Sequence, residues 1–211
     1  MMPETTNNTP DSIAIYDLDG TLIPFNSFKY WLLFSFVFSF LFFRIDYNWL
    51  IVKITLQRIF GKTDRFIFKE KIMIFHEQNK NKKFVKCCNT SFASFLKRKT
   101  KTGLLDKHRK LFLATAAPDC YVKYYVKKMK CFEYYSASYI KNGILEENIS
   151  EKKLQSVIQL IENKTYQSIL YTDHFNDIPL AKKVSQIFLV RPAEETIKEY
   201  EMSKISYIVV K

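Results

Sequence analysis

Two carboxylates one residue apart, Asp17 and Asp19, follow the apolar run Ile13-Ala14-Ile15-Tyr16 and precede Gly20 and Thr21. The apolar run reads as a buried strand, and the Gly-Thr pair turns the chain away from it. Residues i and i+2 of a strand or its extension point the same way. Both acids are therefore held together past the strand's carboxyl end, where open α/β sheets take their ligands. Like charges that close need a cation, a proton or a solvated turn. The last of these, an Asp-Gly turn with two hydrated carboxylates, is the alternative reading of the decapeptide alone.

Two later strand ends carry matching groups. Leu111-Phe112-Leu113-Ala114 stops at Thr115-Ala116-Ala117-Pro118, which reads as strand, tight loop, then a helix from about Asp119. That loop offers a hydroxyl and backbone N–H groups at a helix N-terminus, a setting suited to phosphate. Ser168-Ile169-Leu170-Tyr171-Thr172 ends in Asp173 and, four residues on, Asp177. Between them, Lys152 and Lys153 open a helix whose N-cap is Ser150; a surface position is the ordinary reading of either lysine. In one parallel sheet wound with helices these ends share a crevice. Four carboxylates there require a hard cation, and an oxygen-only donor set without a His or Cys cluster favours Mg²⁺ over zinc. The chemistry such a set can do is attack of a carboxylate on phosphorus, with a lysine and the cation offsetting charge.

The elements that must position these groups form an α/β pattern interrupted once. Phe25 to about Leu105 is a helical block between the first two strands. Trp31–Phe43 holds no charge and is shorter than the ~18 residues of a spanning helix. Asp46 and Asn48 interrupt it before Trp49–Phe60 resumes. A buried pair, a hairpin in a membrane interface and a true span are the three readings, and residues 28–60 are the membrane-contact segment under the second. Thr63 or Asp64 caps the next helix, which breaks near Asn79–Asn81; its Lys-rich sides read as solvated, and His76 and His108 as ordinary surface residues. Further on come a strand over Phe132–Ser138, an Asn142-Gly143 hairpin, a strand over Gln186–Val190, a helix over Thr196–Met202, and an edge strand or docked tail over Ile205–Val210.

The chain has 211 residues and a formal charge of +12. Its basic residues are mostly Lys spread from end to end, with no zinc-finger spacing, RNA-binding signature or helix-turn-helix. Specific nucleic-acid binding is therefore not expected, while attraction to anionic membranes or phosphorylated substrates is. Cys87, Cys88, Cys120 and Cys131 fit neither a zinc site nor a disulfide framework and read as reduced thiols, which points to the cytoplasm. Residues 1–11 are polar and lack an apolar core, so a short disordered tail is predicted rather than a signal peptide.

Asp17-Leu-Asp-Gly-Thr, Ala114-Thr115-Ala116-Ala117-Pro118, Lys153 and Asp173-His-Phe-Asn176-Asp177 resemble the four signature motifs of the haloacid dehalogenase superfamily. The helical insertion, the Thr-x-x-Pro loop, the Asn-Gly hairpin and Asn176-Asp177-Ile-Pro-Leu are most similar to its phosphoserine-phosphatase-like branch, subfamily IB. The hydrophobic insertion looks like that of phosphatidylglycerophosphatase C-type enzymes, on composition and length. The resemblance implies a Rossmann-like three-layer α/β core with a parallel sheet (residues 12–24 and 106–211) and an inserted all-helical cap (residues 25–105). It implies a Mg²⁺-dependent phosphomonoester hydrolase acting on a lipid, lipid-linked or soluble sugar or amino-acid phosphate, in the cytoplasm or at the cytoplasmic face of a membrane. A non-catalytic membrane-associated binding protein is the rival. Asp17 is then the nucleophile and Asp19 the general acid and base, which also lends the cation its backbone carbonyl. Thr115 and the Ala116 N–H hold phosphoryl oxygens, with Lys153 stabilising charge and Lys152 as the fallback. Asp173 binds Mg²⁺, and Asp177 supports it. Thr172 replaces the usual Gly and His174 the usual Ser, which bears on fine geometry.

Overall fold

The computed structural model describes residues 12–106, 109–162 and 167–211; the expectations for the N-terminal tail and for His108 fall outside the described residues. Strand β1 (Ser12–Tyr16) is followed by helices α1 (Ser27–Leu41), α2 (Ile45–Ile59), α3 (Arg65–Gln78) and α4 (Lys83–Lys99). Then come β2 (Lys110–Pro118), α5 (Asp119–Met129), β3 (Phe132–Lys141), β4 (Ile144–Glu146) and α6 (Glu151–Ile161). The chain closes with β5 (Gln167–Thr172), α7 (Ile178–Ala181), β6 (Gln186–Val190), α8 (Glu194–Met202) and β7 (Ile208–Val210).

The strands form one sheet in the order β4-β3-β2-β1-β5-β6-β7. All neighbours run parallel except β3 and β4, whose turn puts Asn142 and Gly143 at φ 52° and 78°, as a two-residue hairpin requires. The order reverses at β1, which pairs β2 on one side and β5 on the other. Tyr16 is level with Leu113 and with Tyr171, so the residues just beyond all three strands meet at one switch point.

Period-two alternation builds three layers from β1. Ala14 and Tyr16 pack into an apolar cluster shared with α1 to α5. Ile13 and Ile15 face the opposite cluster, with Leu154 and Val157 of α6, Leu180 of α7 and Tyr200 of α8.

Local chemistry moved several boundaries. The first helix breaks at Phe42–Arg44, not at Asp46–Asn48. Asp46 instead lies in the first turn of α2, where the helix dipole favours a carboxylate. Strand β2 runs on through Thr115 to Pro118 and passes directly into α5, so the expected separate loop is an irregular strand end with a register shift between Ala114 and Pro118. Asp64 rather than Thr63 caps α3, accepting from the Ile67 N–H at 2.8 Å. Ser150 holds the cap position of α6 without a side-chain cap bond. His76 is not a surface residue: it is buried, hydrogen-bonded through Nε2 to the Tyr47 hydroxyl at 2.6 Å and packed on Trp31. Cys87 and Cys88 are on α4, and all four cysteines are free, as expected. Helices α1 and α2 have 15 residues each, and no described helix is long and apolar enough to cross a membrane.

Candidate active site

Strand β1 delivers Asp17 to the switch point, its N–H bonded to the Tyr171 carbonyl at 2.9 Å, so its position is tied to the sheet itself. Lys153, from the first turn of α6, reaches it from below. Its ammonium donates to Asp17 Oδ1 at 2.7 Å and to both Asp177 oxygens at 2.8 Å. All three groups are buried. An unpaired ammonium would be costly there, but three carboxylate contacts satisfy its three donors. Lys152 points away, to Glu146 on the surface. Of the two adjacent lysines, Lys153 is the one in the site.

The remaining acids are held by neighbouring threonines. The Thr172 hydroxyl donates to Asp177 Oδ2 at 2.6 Å and accepts from the His174 N–H at 3.3 Å. Thr21 donates to Asp173 Oδ1 at 3.1 Å. Gly20 adopts φ 79°, and a Cβ there would overlap the Asp173 carboxylate, so both conformation and space require glycine. From the far side of the sheet, Arg191 donates to the Gly20 carbonyl at 2.7 Å and braces the turn. Thr115 is buried, its hydroxyl accepting from the Ala117 N–H at 3.1 Å, while Ala116 lines the cavity. Asn148 fixes this strand end, donating to the Thr115 carbonyl at 3.1 Å.

These groups line a cavity of about 320 Å³, bounded by Phe25 and Asn26 before α1 and by Arg65 of α3. Its electrostatics are those of crowded, buried acids. Burial, opposed by Lys153 and reinforced by Asp177 and Asp173, pushes Asp17 up to about 7. Burial also pushes Asp19 up to about 7, with Ser27 pulling it down. Asp173 rises to about 6 through burial, against the Thr21 hydrogen bond. Burial alone would lower Lys153, but Asp17 and Asp177 outweigh it and hold the ammonium above its ordinary range. One further sign is Asp19 Oδ1, buried without a hydrogen-bond partner among the described residues.

A hard divalent cation fits this arrangement. A single ammonium is bonded into a site of four carboxylates, whose oxygens are hard donors. Among the described residues no three His, Cys, Asp or Glu side chains group closely enough to enclose a metal by themselves.

The model of the haloacid dehalogenase-like hydrolases matches residues 14–182. The chain belongs to this family. No curated protein sequence matches it. Among solved structures, a protein of unknown function from Bordetella pertussis Tohama I aligns at TM-score 0.58 and 16% identity, covering 95% of this chain and 99% of that one. A phospho-aspartyl intermediate analogue of phosphoserine phosphatase aligns at TM-score 0.54 and 13% identity, covering 96% and 95%. A substrate-bound phosphoserine phosphatase complex aligns at TM-score 0.53 and 14%, covering 95% and 92%. At such identities the likeness is one of fold.

Within this haloacid dehalogenase-like site, the structure brings Asp17, Asp19, Ala116, Lys153, Asp173 and Asp177 to one cavity, with Thr115 directly behind it. Several supporting residues escaped the sequence reading. Lys69 of α3 is the clearest. It is buried, donating to the Ala116 carbonyl at 2.8 Å and paired with Glu147, although the Lys-rich helix sides were expected in solvent. Burial lowers its pKa, against Glu147. Periodicity held the signal: Lys69 shares a face with Phe68, Ile72, Met73 and His76, all buried. Asn148 and Arg191 carry no such local mark.

Proposed function

We propose that this hydrolase cleaves a phosphomonoester through an aspartyl-phosphate on Asp17. The observation that carries the reading is Lys153, locked between Asp17 and Asp177 at the end of β1 and beside the Ala116 strand end. That lysine holds Asp17 in register and lowers the cost of bringing a phosphate dianion to a carboxylate. A carboxylate oxygen of Asp17 attacks phosphorus, and the bond from phosphorus to the ester oxygen breaks. Asp19, whose pKa lies near 7, donates a proton to that leaving oxygen. It then takes one from the water that attacks the phosphoryl group, releasing phosphate and restoring Asp17. Thr115 and the Ala116 N–H receive the phosphoryl oxygens.

Mg²⁺ would be held by the Asp17 and Asp173 carboxylates and the Asp19 carbonyl, and when bound supplies positive charge against the transferring phosphoryl group. Asp177 gives both oxygens to Lys153 and one also to Thr172, which supports a role as anchor of the lysine. The α1–α4 insertion acts as a cap: Arg65 lines the cavity mouth, and Lys69 ties the cap to the Ala116 carbonyl. A lipid-linked phosphate is the first substrate to try, because the cap exposes apolar surface; soluble sugar and amino-acid phosphates are the alternative.

The test is phosphate release from a panel of lipid, sugar and amino-acid phosphates with and without Mg²⁺. Asp17→Asn is expected to lower turnover by at least about 1,000-fold while leaving the fold intact. An Asp17→Asn variant as active as wild type would overturn the mechanism. So would a folded protein inert on every phosphate tried.

A further inference from the structure

Helix α1 buries three serines and leaves much of its apolar surface outside. Its buried positions are Ser27, Trp31, Ser35 and Ser39, whereas Leu33, Val37, Phe40 and Leu41 face solvent. The serines serve packing and polar bonding: Ser27 to the Tyr121 hydroxyl, and Ser39 to the Phe36 carbonyl and Asn48. Helix α2 continues the pattern with Ile45, Trp49, Leu56 and Ile59 exposed along one stripe. Single exposed hydrophobics need no explanation, but two adjacent helices presenting one apolar face do.

The turn between them adds an independent mark. It closes as a Schellman motif, with Phe43 N–H on the Phe40 carbonyl at 3.0 Å and Arg44 N–H on the Ser39 carbonyl at 2.7 Å. The left-handed position of that motif belongs to Phe43, at φ 53° and 88% exposed. Helix α2 ends in the same motif, Lys62 N–H on the Gln57 carbonyl at 2.8 Å, and there the position is Gly61 at φ 69°. A phenylalanine held in a conformation that favours glycine, with its ring in water, contributes nothing to this fold.

We infer that the α1–α2 hairpin docks on an anionic lipid bilayer, lying in its interface with Phe40, Phe43, Ile45, Trp49 and Ile59 immersed. Three features select a bilayer over a second protein. The Phe42, Phe43 and Arg44 N–H groups are paired within the turn, which lowers the cost of immersing it. Its two charges, Arg44 and Asp46, pair with each other. Exposed Lys29, Lys53 and Lys62 lie on the same hairpin in a chain of net charge +12, complementary to anionic headgroups. This surface is independent of the phosphatase reading, since it requires no turnover.

Trp49 is a built-in reporter, because it is exposed while the other tryptophan, Trp31, is buried. Wild-type protein is titrated with vesicles of phosphatidylcholine, alone or with about a third phosphatidylglycerol, and followed by Trp49 emission and co-sedimentation. The expected result is a blue shift and sedimentation with the anionic vesicles, weakened by salt. Phe43→Gly is expected to raise the unfolding midpoint yet weaken vesicle binding about tenfold, with hydrolysis of a soluble phosphomonoester unchanged. Trp49 emission that ignores vesicles would overturn the inference. So would a blue shift that depends only on protein concentration and tracks self-association.

Discussion

Thr172 occupies the place where the family resemblance leads one to expect glycine, and its hydroxyl shows why the substitution is tolerated there. It bridges Asp177 and the His174 N–H, which ties the two ends of this segment together. Thr172→Val should cost about 1 kcal/mol of stability and lower turnover about tenfold by loosening Asp177 and hence Lys153. Thr172→Ser should restore both. Steady-state kinetics and urea unfolding read the two effects, and a valine variant with wild-type turnover would remove Thr172 from the site. His76 belongs to the same scale. Burial pushes its pKa from 6.5 down to about 3, so the folded protein keeps it neutral while the unfolded chain protonates it near pH 6.5. With the folded value depressed, the unfolded state binds more protons between those limits, and stability falls as pH drops through them. The stability advantage of wild type over His76→Gln should therefore shrink by about 2 kcal/mol between pH 7 and pH 5. An unchanged difference would place the His76 ring in contact with water.

Among the elements, α1 and α2 share a length, 15 residues, and a closing motif, yet place opposite residues at its left-handed position. The contrast predicts mutations of opposite sign. Phe43→Gly should stabilise the protein by about 1 kcal/mol, and Gly61→Ala should destabilise it by about the same amount. Thermal unfolding in vesicle-free buffer checks both; a destabilised Phe43→Gly would mean that the exposed ring makes contacts that support the fold. The pairing of β1 with both β2 and β5 is the other decision made at this scale. It sets Asp17, Thr115 and Asp173 at one level, because each follows its strand's last paired residues by only one or two positions. A one-residue slip of β5 against β1 would separate the acids and exchange its side chains between the two apolar clusters.

For the whole molecule, Lys69 is a buried polar link between insertion and core, beside the apolar cluster they share. It leaves α3, crosses to β2 and pairs with Glu147 near the start of α6. Without the ammonium Glu147 keeps only its longer contact to Arg65, at 3.8 Å, so Lys69→Met should cost about 2 kcal/mol. Adding Glu147→Gln should recover part of that loss, because the stranded carboxylate is then neutral. A double-mutant cycle by urea denaturation measures it, and additive losses would show that the two residues act independently. Since Lys69 bonds the carbonyl of Ala116, the single variant should also weaken phosphate handling, seen as a lower kcat.

Much of this protein was legible in the residue order because the signals were short-ranged. Apolar runs ending in Asp, Thr and Asp marked β1, β2 and β5, and Asn142-Gly143 marked the hairpin. Their α/β order then placed the acids in one crevice. The helical insertion was equally plain, as was its division near Asn79. What local pattern could not decide was which way adjacent residues on a helix turn. Lys152 and Lys153 have the same chemistry and differ by about 100° around α6, and only packing against β1 makes Lys153 the partner of Asp17. Lys69 and His76 go inward for the same reason, since a polar residue on an apolar face is buried only when distant segments supply its partners. The serines of α1 are the reverse case. A helix apolar all round has no preferred inner face, and the neighbouring helices turned three serines inward beside Trp31, leaving Leu33, Val37 and Phe40 outside.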